Sequence, residues 1–451
     1  MVLNSAAREL PTLAAAAVLL TPSRENNSVT CNGMGDLIMK LRTRLVACAG
    51  ALGLTLLSQG AGAFGMMDVG EWKLQFSGNV NGYLSNVDCK NSSGPVLGGL
   101  ACGSIFGDYK DSNVRTGLLP SWLGFHAERT EGSTKYEITI GFQPGIDSNT
   151  GIAGAPIDGG LGLNSANFRQ VFLEWSGTWG GIKVGRDLGI FGSDAILSDM
   201  TLFGVGTVSD FARGGGNTTL GRIGVGYVYA DWKGQVQYSS PKWNGFSFNV
   251  AIVDPWGLAT LSGLSSDAGS FGQEGKTYGF EGKVNYTWEG SVGGTAWASF
   301  IHQSIDSIAA GVSSRDATGF DVGVKVNFSD LEAVAYYYNG KGIGTTDFLF
   351  DAVDLAGNRR DSDGSYVQVT YKLPGPGTKI GVSWGQSNLD LASGEAVSNL
   401  VKKNESFVIG VYHPLTSALH LVAEYTDTKA TAHSGNEAKE KALALGAILF
   451  F

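Results

Sequence analysis

The body of the chain has no apolar run of about 18 residues, the length a membrane-spanning helix needs, so helical spans are excluded. Charged residues make up only 16% of the sequence. Histidine is confined to His126, His302, His413, His420 and His433, scattered without metal-ligand spacing. No nucleophile elbow or other nucleophile motif accompanies them. Neither a metal, a cofactor nor enzymatic catalysis is therefore expected. The acidic stretch "DAVDLAGNRRDSDG" reads as a solvated loop in preference to a calcium site. Basic charge is also short, with 32 Lys and Arg against 41 Asp and Glu. Nucleic acid is excluded as a partner, because phosphate binding needs a basic surface.

Cysteine is scarce, and its placement follows from the N-terminus. From Met39 the chain reads "MKLRTRLVACAGALGLTLLSQGAGA". Lys40, Arg42 and Arg44 form a basic head, Leu45 to Leu57 an apolar middle, and Ala61-Gly62-Ala63 a small-residue end. This is the pattern of a secretory signal peptide, 39–63. Residues 1–38 then read as an upstream extension without function, and 64–451 as the mature chain. Processing leaves 27 basic and 38 acidic residues, a net charge of −11. Of four cysteines, only Cys89 and Cys102 survive it. An exported chain meets an oxidising compartment, so these two are expected to pair across one loop.

Glycine is abundant at 67 residues, aromatics reach 10%, and polar and apolar residues alternate finely. In "EWKLQFSGNVNGYL", Trp72, Leu74, Phe76, Val80 and Leu84 share one face, while Lys73, Gln75, Ser77, Asn79 and Asn81 share the other. This period of two marks a strand longer than most globular ones. The pattern predicts sixteen strands, near 71–84, 118–129, 133–142, 168–176, 181–187, 222–240, 245–253, 276–288, 294–303, 317–328, 331–339, 364–373, 378–386, 406–413, 418–427 and 440–451. Short turns and long Gly/Ser/Asp/Asn-rich connections alternate strictly between them.

A sandwich hides its apolar faces, whereas here aromatics end the apolar face and charges line the other. That fits an all-β fold, a closed 16-stranded antiparallel transmembrane barrel with an apolar outer band and a polar lumen. Alternation then turns Lys73, Lys135, Glu137, Lys183, Glu281, Lys283, Asp321, Lys325 and Lys379 towards the lumen.

Three segments carry a resemblance. "VQYSSPKWNGFSFNVAI" (236–252) and "RQVFLEWSGTWGGIKVGRDLGIFG" (169–192), with the terminal strand "LALGAILFF", resemble the general Gram-negative outer-membrane porins of the proteobacterial trimeric type. The resemblance implies a water-filled channel in the bacterial outer membrane, passing small hydrophilic solutes passively. It implies short periplasmic turns, long external loops and a third loop, 188–221, folded inward. Asp194, Asp199, Asp210 and Arg213 on that loop would face the wall residues Lys183 and Arg186. Lipid, lipopolysaccharide and two further copies of the chain would be its partners. The acidic excess points to weak cation preference. Two other readings stay open: a channel specific for sugar or carboxylate along an aromatic lane of Trp122, Phe172, Tyr336 and Tyr366, and a non-conducting adhesive or structural barrel.

Overall fold

The structure is a computed structural model describing residues 66–451, apart from 92, 103–106, 147–167, 209–217, 266–276 and 306–313. The expected signal peptide and upstream extension lie outside the described residues, as do Asp210 and Arg213.

The strands are β1 (Met67–Val69), β2 (Trp72–Lys90), β3 (Tyr109–Arg115), β4 (Trp122–Glu131), β5 (Thr134–Phe142), β6 (Phe168–Gly177), β7 (Gly180–Leu188), β8 (Trp232–Ser239), β9 (Phe246–Val253), β10 (Gly279–Trp288), β11 (Val292–Ile305), β12 (Arg315–Phe328), β13 (Leu331–Lys341), β14 (Asp361–Lys372), β15 (Lys379–Leu389), β16 (Val401–Pro414), β17 (Leu419–Ala432) and β18 (Glu437–Phe450). β1 is a short hairpin arm on β2. β3 and β4 together fill one wall position, β3 pairing with the far half of β2 and β4 with the near half. The remaining strands each pair with their chain neighbours, and β18 pairs with β2. The result is a closed antiparallel barrel of sixteen wall positions, with no free edge.

Local chemistry accounts for the pairing. Between β8 and β9, Asn244 and Gly245 both have positive φ (47° and 90°), and Trp243 and Phe246 exchange backbone bonds of 2.8 and 2.9 Å. This is the tight turn that matches strand twist. At the closure, Phe451 and Gly78 exchange backbone bonds of 2.9 and 2.8 Å. A Cβ at Gly78 would stand 2.3 Å from the Trp122 carbonyl and 2.8 Å from the Phe451 ring, so only glycine fits. Along β12, Phe320 and Val322 are 50% and 47% exposed on the outside while Asp321 between them is 1% exposed.

Several strands run further than the sequence reading has them, β2 to Lys90 and β16 from Val401 among them, and two differences bear on the lumen. The predicted strand 118–129 is shifted to β4, and β3 arises inside what reads as the first loop. The predicted strand 222–240 starts only at Trp232. Its first ten residues alternate, but Gly221, Gly224 and Gly226 take positive φ and bend the chain. Their alternation serves packing inside the barrel instead of strand pairing.

Candidate pore and constriction

The third long connection, 189–231, enters the barrel at the end of β7. It carries one short helix, α1 (Ser193–Ser198), and a 3-10 turn, Met200–Phe203. Its buried side chains, Phe191, Ile196, Leu202, Ile223, Val225 and Tyr227, pack with the inward-facing Trp297, Tyr336 and Tyr366 of the wall. The cluster is a hydrophobic core placed inside the lumen.

Wall side chains hold the loop by its backbone. Glu281 Oε2 accepts from Ile190 N (2.5 Å) and Phe191 N (2.9 Å), while its Oε1 meets Lys233 Nζ at 2.5 Å. Asp321 accepts from Gly192 N at 3.0 Å and from Tyr336 Oη at 3.0 Å. Gln368 accepts from Met200 N and donates to the Ser198 carbonyl. Glu424 accepts from Val205 N (2.7 Å), Gly206 N (2.8 Å) and Tyr412 Oη (2.6 Å). These partners sit on β10, β12, β14 and β17, so the loop is pinned across one side of the lumen. Buried backbone N–H groups need such acceptors, and strand pairing cannot supply them here.

Inside the loop, Asp199 closes the fold. One oxygen accepts from Thr201 N and Oγ1, and the other from Arg222 N and Tyr227 Oη. Arg222 reaches back to the wall, donating to Ser383 Oγ (2.7 Å) and the Ser406 carbonyl (2.8 Å). Burial raises the Asp199 carboxyl above its ordinary range, against the pull of Arg222. Burial likewise lowers the Arg222 guanidinium, with Asp199 opposing.

The expected site residues therefore part company. Asp194 pairs with Lys283 (2.5 Å) and anchors α1 to β10. Asp199 is corrected: it lies within the loop, 4% exposed, and does not face an open passage. Arg186 lies near the end of β7. Its backbone stands opposite Val171, which is 44% exposed on the outer wall. Glu281 and Asp321 are each 1% exposed, sealed under the loop. Lys379 lies 5.1 Å over the Tyr412 ring. Tyr336 and Tyr366 are covered by Tyr227, which leaves Trp122 and Phe172 of the aromatic lane. In the acidic stretch, Asp351 accepts from Thr260, Leu261 and Ser262, and Asp354 from Ala356 and Asn358.

The wall opposite these anchors, β4 to β7, carries a row that sequence reasoning missed in part. Glu128, Glu137, Glu174 and Lys183 stand directly opposite one another on successive strands. Lys73 of β2 faces Glu128 at the row's other end. Lys135 bridges Glu128 (2.9 Å) and Glu137 (2.7 Å). Lys183 lies between Asp187 (2.5 Å) and Glu174 (4.0 Å), and 4.5 Å over the Phe172 ring. Among the described residues, no hydrogen bond or ion pair of these side chains reaches the third loop. Like charges directly opposite each other weaken a sheet, so three glutamates in register are costly without a role.

At the long-loop end, Cys89 and Cys102 form a disulfide, with Cα atoms 5.4 Å apart. It fastens the first loop beside Cys102 N, which donates to Glu440.

The sequence model of the Gram-negative porin family matches residues 46–433. No curated protein matches the chain. Solved structures do. The outer-membrane channel DcaP of Acinetobacter baumannii is similar with a TM-score of 0.60 at 17% identity, covering 87% of this chain and 100% of its own. An anion-selective porin from Comamonas acidovorans is similar with a TM-score of 0.56 at 14% identity, covering 84% of this chain and all of its own. OmpT of Vibrio cholerae, in its trimer form, has a TM-score of 0.50 at 15% identity, covering 84% and 99%.

Proposed function

The chain belongs to the Gram-negative porin family and is an outer-membrane channel for passive diffusion; on that premise we propose that its pore passes small hydrophilic solutes and favours cations. The observation carrying the preference is the register row on β4 to β7. Lys73 of β2, with Lys135, Arg169 and Lys183, balances Glu128, Glu137, Glu174 and Asp187 in number, so the preference rests on the three glutamates standing next to one another without a gap. Solutes pass between this wall and the inward loop, because the opposite wall is occupied by the loop's own anchors. In a narrow passage with low-dielectric walls, such charge raises the local concentration of the opposite ion. The reading predicts a cation-selective zero-current potential for purified protein in planar bilayers under a KCl gradient. An anion-selective potential would reject it.

Assembly and maturation belong to the same proposal. Five phenylalanines run across the outer face of the first strands: Phe451–Phe76, Phe76–Phe125, Phe125–Phe142 and Phe142–Phe168 have ring centres 5.8, 5.2, 6.1 and 4.5 Å apart. This apolar, rigid stripe suits packing against a second barrel, and three copies make the working unit. The mature chain begins at residue 64, after the signal peptide.

A further inference from the structure

The sixth long connection, 342–360, leaves β13 and returns to β14, yet it crosses to β8, five positions along the sheet from β13. Neighbouring strands lie about 4.8 Å apart, so the loop spans about 24 Å of wall. Main-chain bonds to two other loops hold its tip there. On the third loop, Tyr229 N donates to the Thr346 carbonyl (3.0 Å). On the fourth, which follows β9, Ala259 N donates to the Leu349 carbonyl (3.3 Å) and the Ala259 carbonyl accepts from Asp351 N (2.9 Å). The Phe348 ring lies 5.2 Å from Lys233 Nζ on β8. Ile343, Phe348, Leu349 and Val353 are buried in the same cluster as Phe191 and Tyr227 of the third loop.

Asp351, fully buried, fastens the tip. Its Oδ1 accepts from Thr260 Oγ1 and Ser262 Oγ, both at 2.6 Å. Its Oδ2 accepts from Leu261 N (3.1 Å) and Ser262 N (3.2 Å). The first loop closes on the same point, where a Cβ at Gly98 would stand 3.2 Å from Asp351 Oδ2. At the loop's base, the buried Arg360 donates to the Asp351 carbonyl (3.0 Å), the Leu264 carbonyl (2.7 Å) and both oxygens of Glu395 on the seventh loop (2.9 and 2.5 Å). Thr346, Leu349 and Asp351 hold positive φ (71°, 68° and 55°). Side chains other than glycine adopt that conformation only when surrounding contacts enforce it, so the tip is a fixed strap.

We propose that the sixth loop is a second constricting element, strapped across the long-loop mouth by Asp351, and that together with the third loop it sets the largest solute the channel admits. The third loop occupies the lumen against β10, β12, β14 and β17, and the sixth spans the mouth from β13 to β8. A solute must clear both in series, and the narrower passage decides admission. Asp351 and Arg360 are positioning residues: they act through the loop and do not meet the solute. The proposal rests on the channel reading but not on its cation preference.

Swelling of liposomes carrying the purified barrel tests it, with neutral oligosaccharides of rising length so that charge plays no part. Asp351→Ala should raise the entry rate of the longer sugars several-fold relative to the shortest, and raise single-channel conductance. Thr260→Val with Ser262→Ala, which removes the partner hydroxyls, should shift both in the same direction. Asparagine tolerates the positive φ and keeps one acceptor oxygen, so Asp351→Asn should fall between Asp351→Ala and wild type. Replacing 345–351 with two glycines removes the strap outright and should give the largest shift. Heat-sensitive gel migration identifies the folded barrels to compare. A wild-type size limit and conductance in the loop-replaced barrel would overturn the proposal. So would Asp351→Ala barrels that open to protease within 342–360 while their size limit stays put. Barrels that never conduct would sink the channel reading and this one with it, whereas conducting barrels with an unmoved size limit would sink this one alone.

Discussion

Lys233 Nζ lies 2.5 Å from Glu281 Oε1, and their side chains are 1% and 0% exposed. This ion pair sits where the third loop leaves the wall, and the other Glu281 oxygen takes the Ile190 and Phe191 N–H groups. Glu281→Ala would strand a buried ammonium and two buried N–H groups. The expected cost is about 3–5 kcal/mol, as for other broken buried pairs. Replacing both partners, as in Lys233→Met with Glu281→Met, should recover part of that loss because no charge is left unpaired. Denaturant unfolding in detergent micelles checks it, and a double variant no more stable than Glu281→Ala would contradict the account.

How much of this was legible beforehand depends on which physical signal each residue leaves. The hairpin 232–253 was readable because Asn244-Gly245 and the flanking alternation are local. The inward parity of Glu281 and Asp321 was readable for the same reason. What those two carboxylates face was not, because a loop's course through a lumen has no period. The stretch 222–231 shows the failure most clearly: Ile223, Val225, Tyr227 and Tyr229 alternate as a strand would, but they pack on wall tyrosines. Glu137 was recognised as a lumen residue while Glu128 and Glu174 were not. Their significance lies in cross-strand register, which couples positions more than thirty residues apart.

Asp199 offers a pH test with a defined sign. Its raised value means that the folded state keeps a proton after the unfolded chain has lost it. Stability should therefore fall as pH rises above the ordinary carboxyl range of about 3.9, and level off above the raised value. Asp199→Asn removes this dependence, so the stability advantage of wild type over the variant should shrink with rising pH. An advantage that grows with pH would mean that Asp199 is better stabilised as the anion in the fold.

The Cys89–Cys102 bond closes a short segment, with a sequence separation of 13. The chain-entropy account assigns such a bond about 3 kcal/mol at most. Reduction should leave the barrel closed, since β2 keeps its ladders to β18, β3 and β4. The change should appear as faster proteolysis within 91–108 while heat-sensitive gel migration persists. Collapse of the barrel on reduction would contradict this division of labour.

The phenylalanine stripe predicts where subunits meet. Phe125→Ala together with Phe142→Ala removes two central rings from the outer wall, without touching the lumen. If three barrels pack there, the variant should dissociate at lower detergent concentration or temperature, while each barrel keeps its conductance. Aromatic pairs contribute about 0.5–1.5 kcal/mol beyond their buried area, so the loss per subunit should be several-fold in dissociation constant. Unchanged assembly in size-exclusion chromatography with light scattering would place the contact elsewhere.

Selectivity is the sharpest test of the register row. Adjacent strands lie about 4.8 Å apart, so Glu128, Glu137 and Glu174 act on a passing ion as one patch. At about 8 Å through water, one unit charge shifts an ion's energy by about 0.5 kcal/mol, roughly twofold in local concentration. Salt at physiological strength screens over about 8 Å, so the effect should shrink in concentrated electrolyte. Replacing all three glutamates with glutamine should move the zero-current potential in a KCl gradient towards anions. Lys135→Gln should move it the other way, because it frees the two carboxylates that Lys135 now bridges. Asp194→Asn should have a smaller effect, since that charge is spent on Lys283. A triple variant with the wild-type potential, or an Asp194→Asn shift larger than that of the triple variant, would take the preference away from β4 to β6 and give it to the loop.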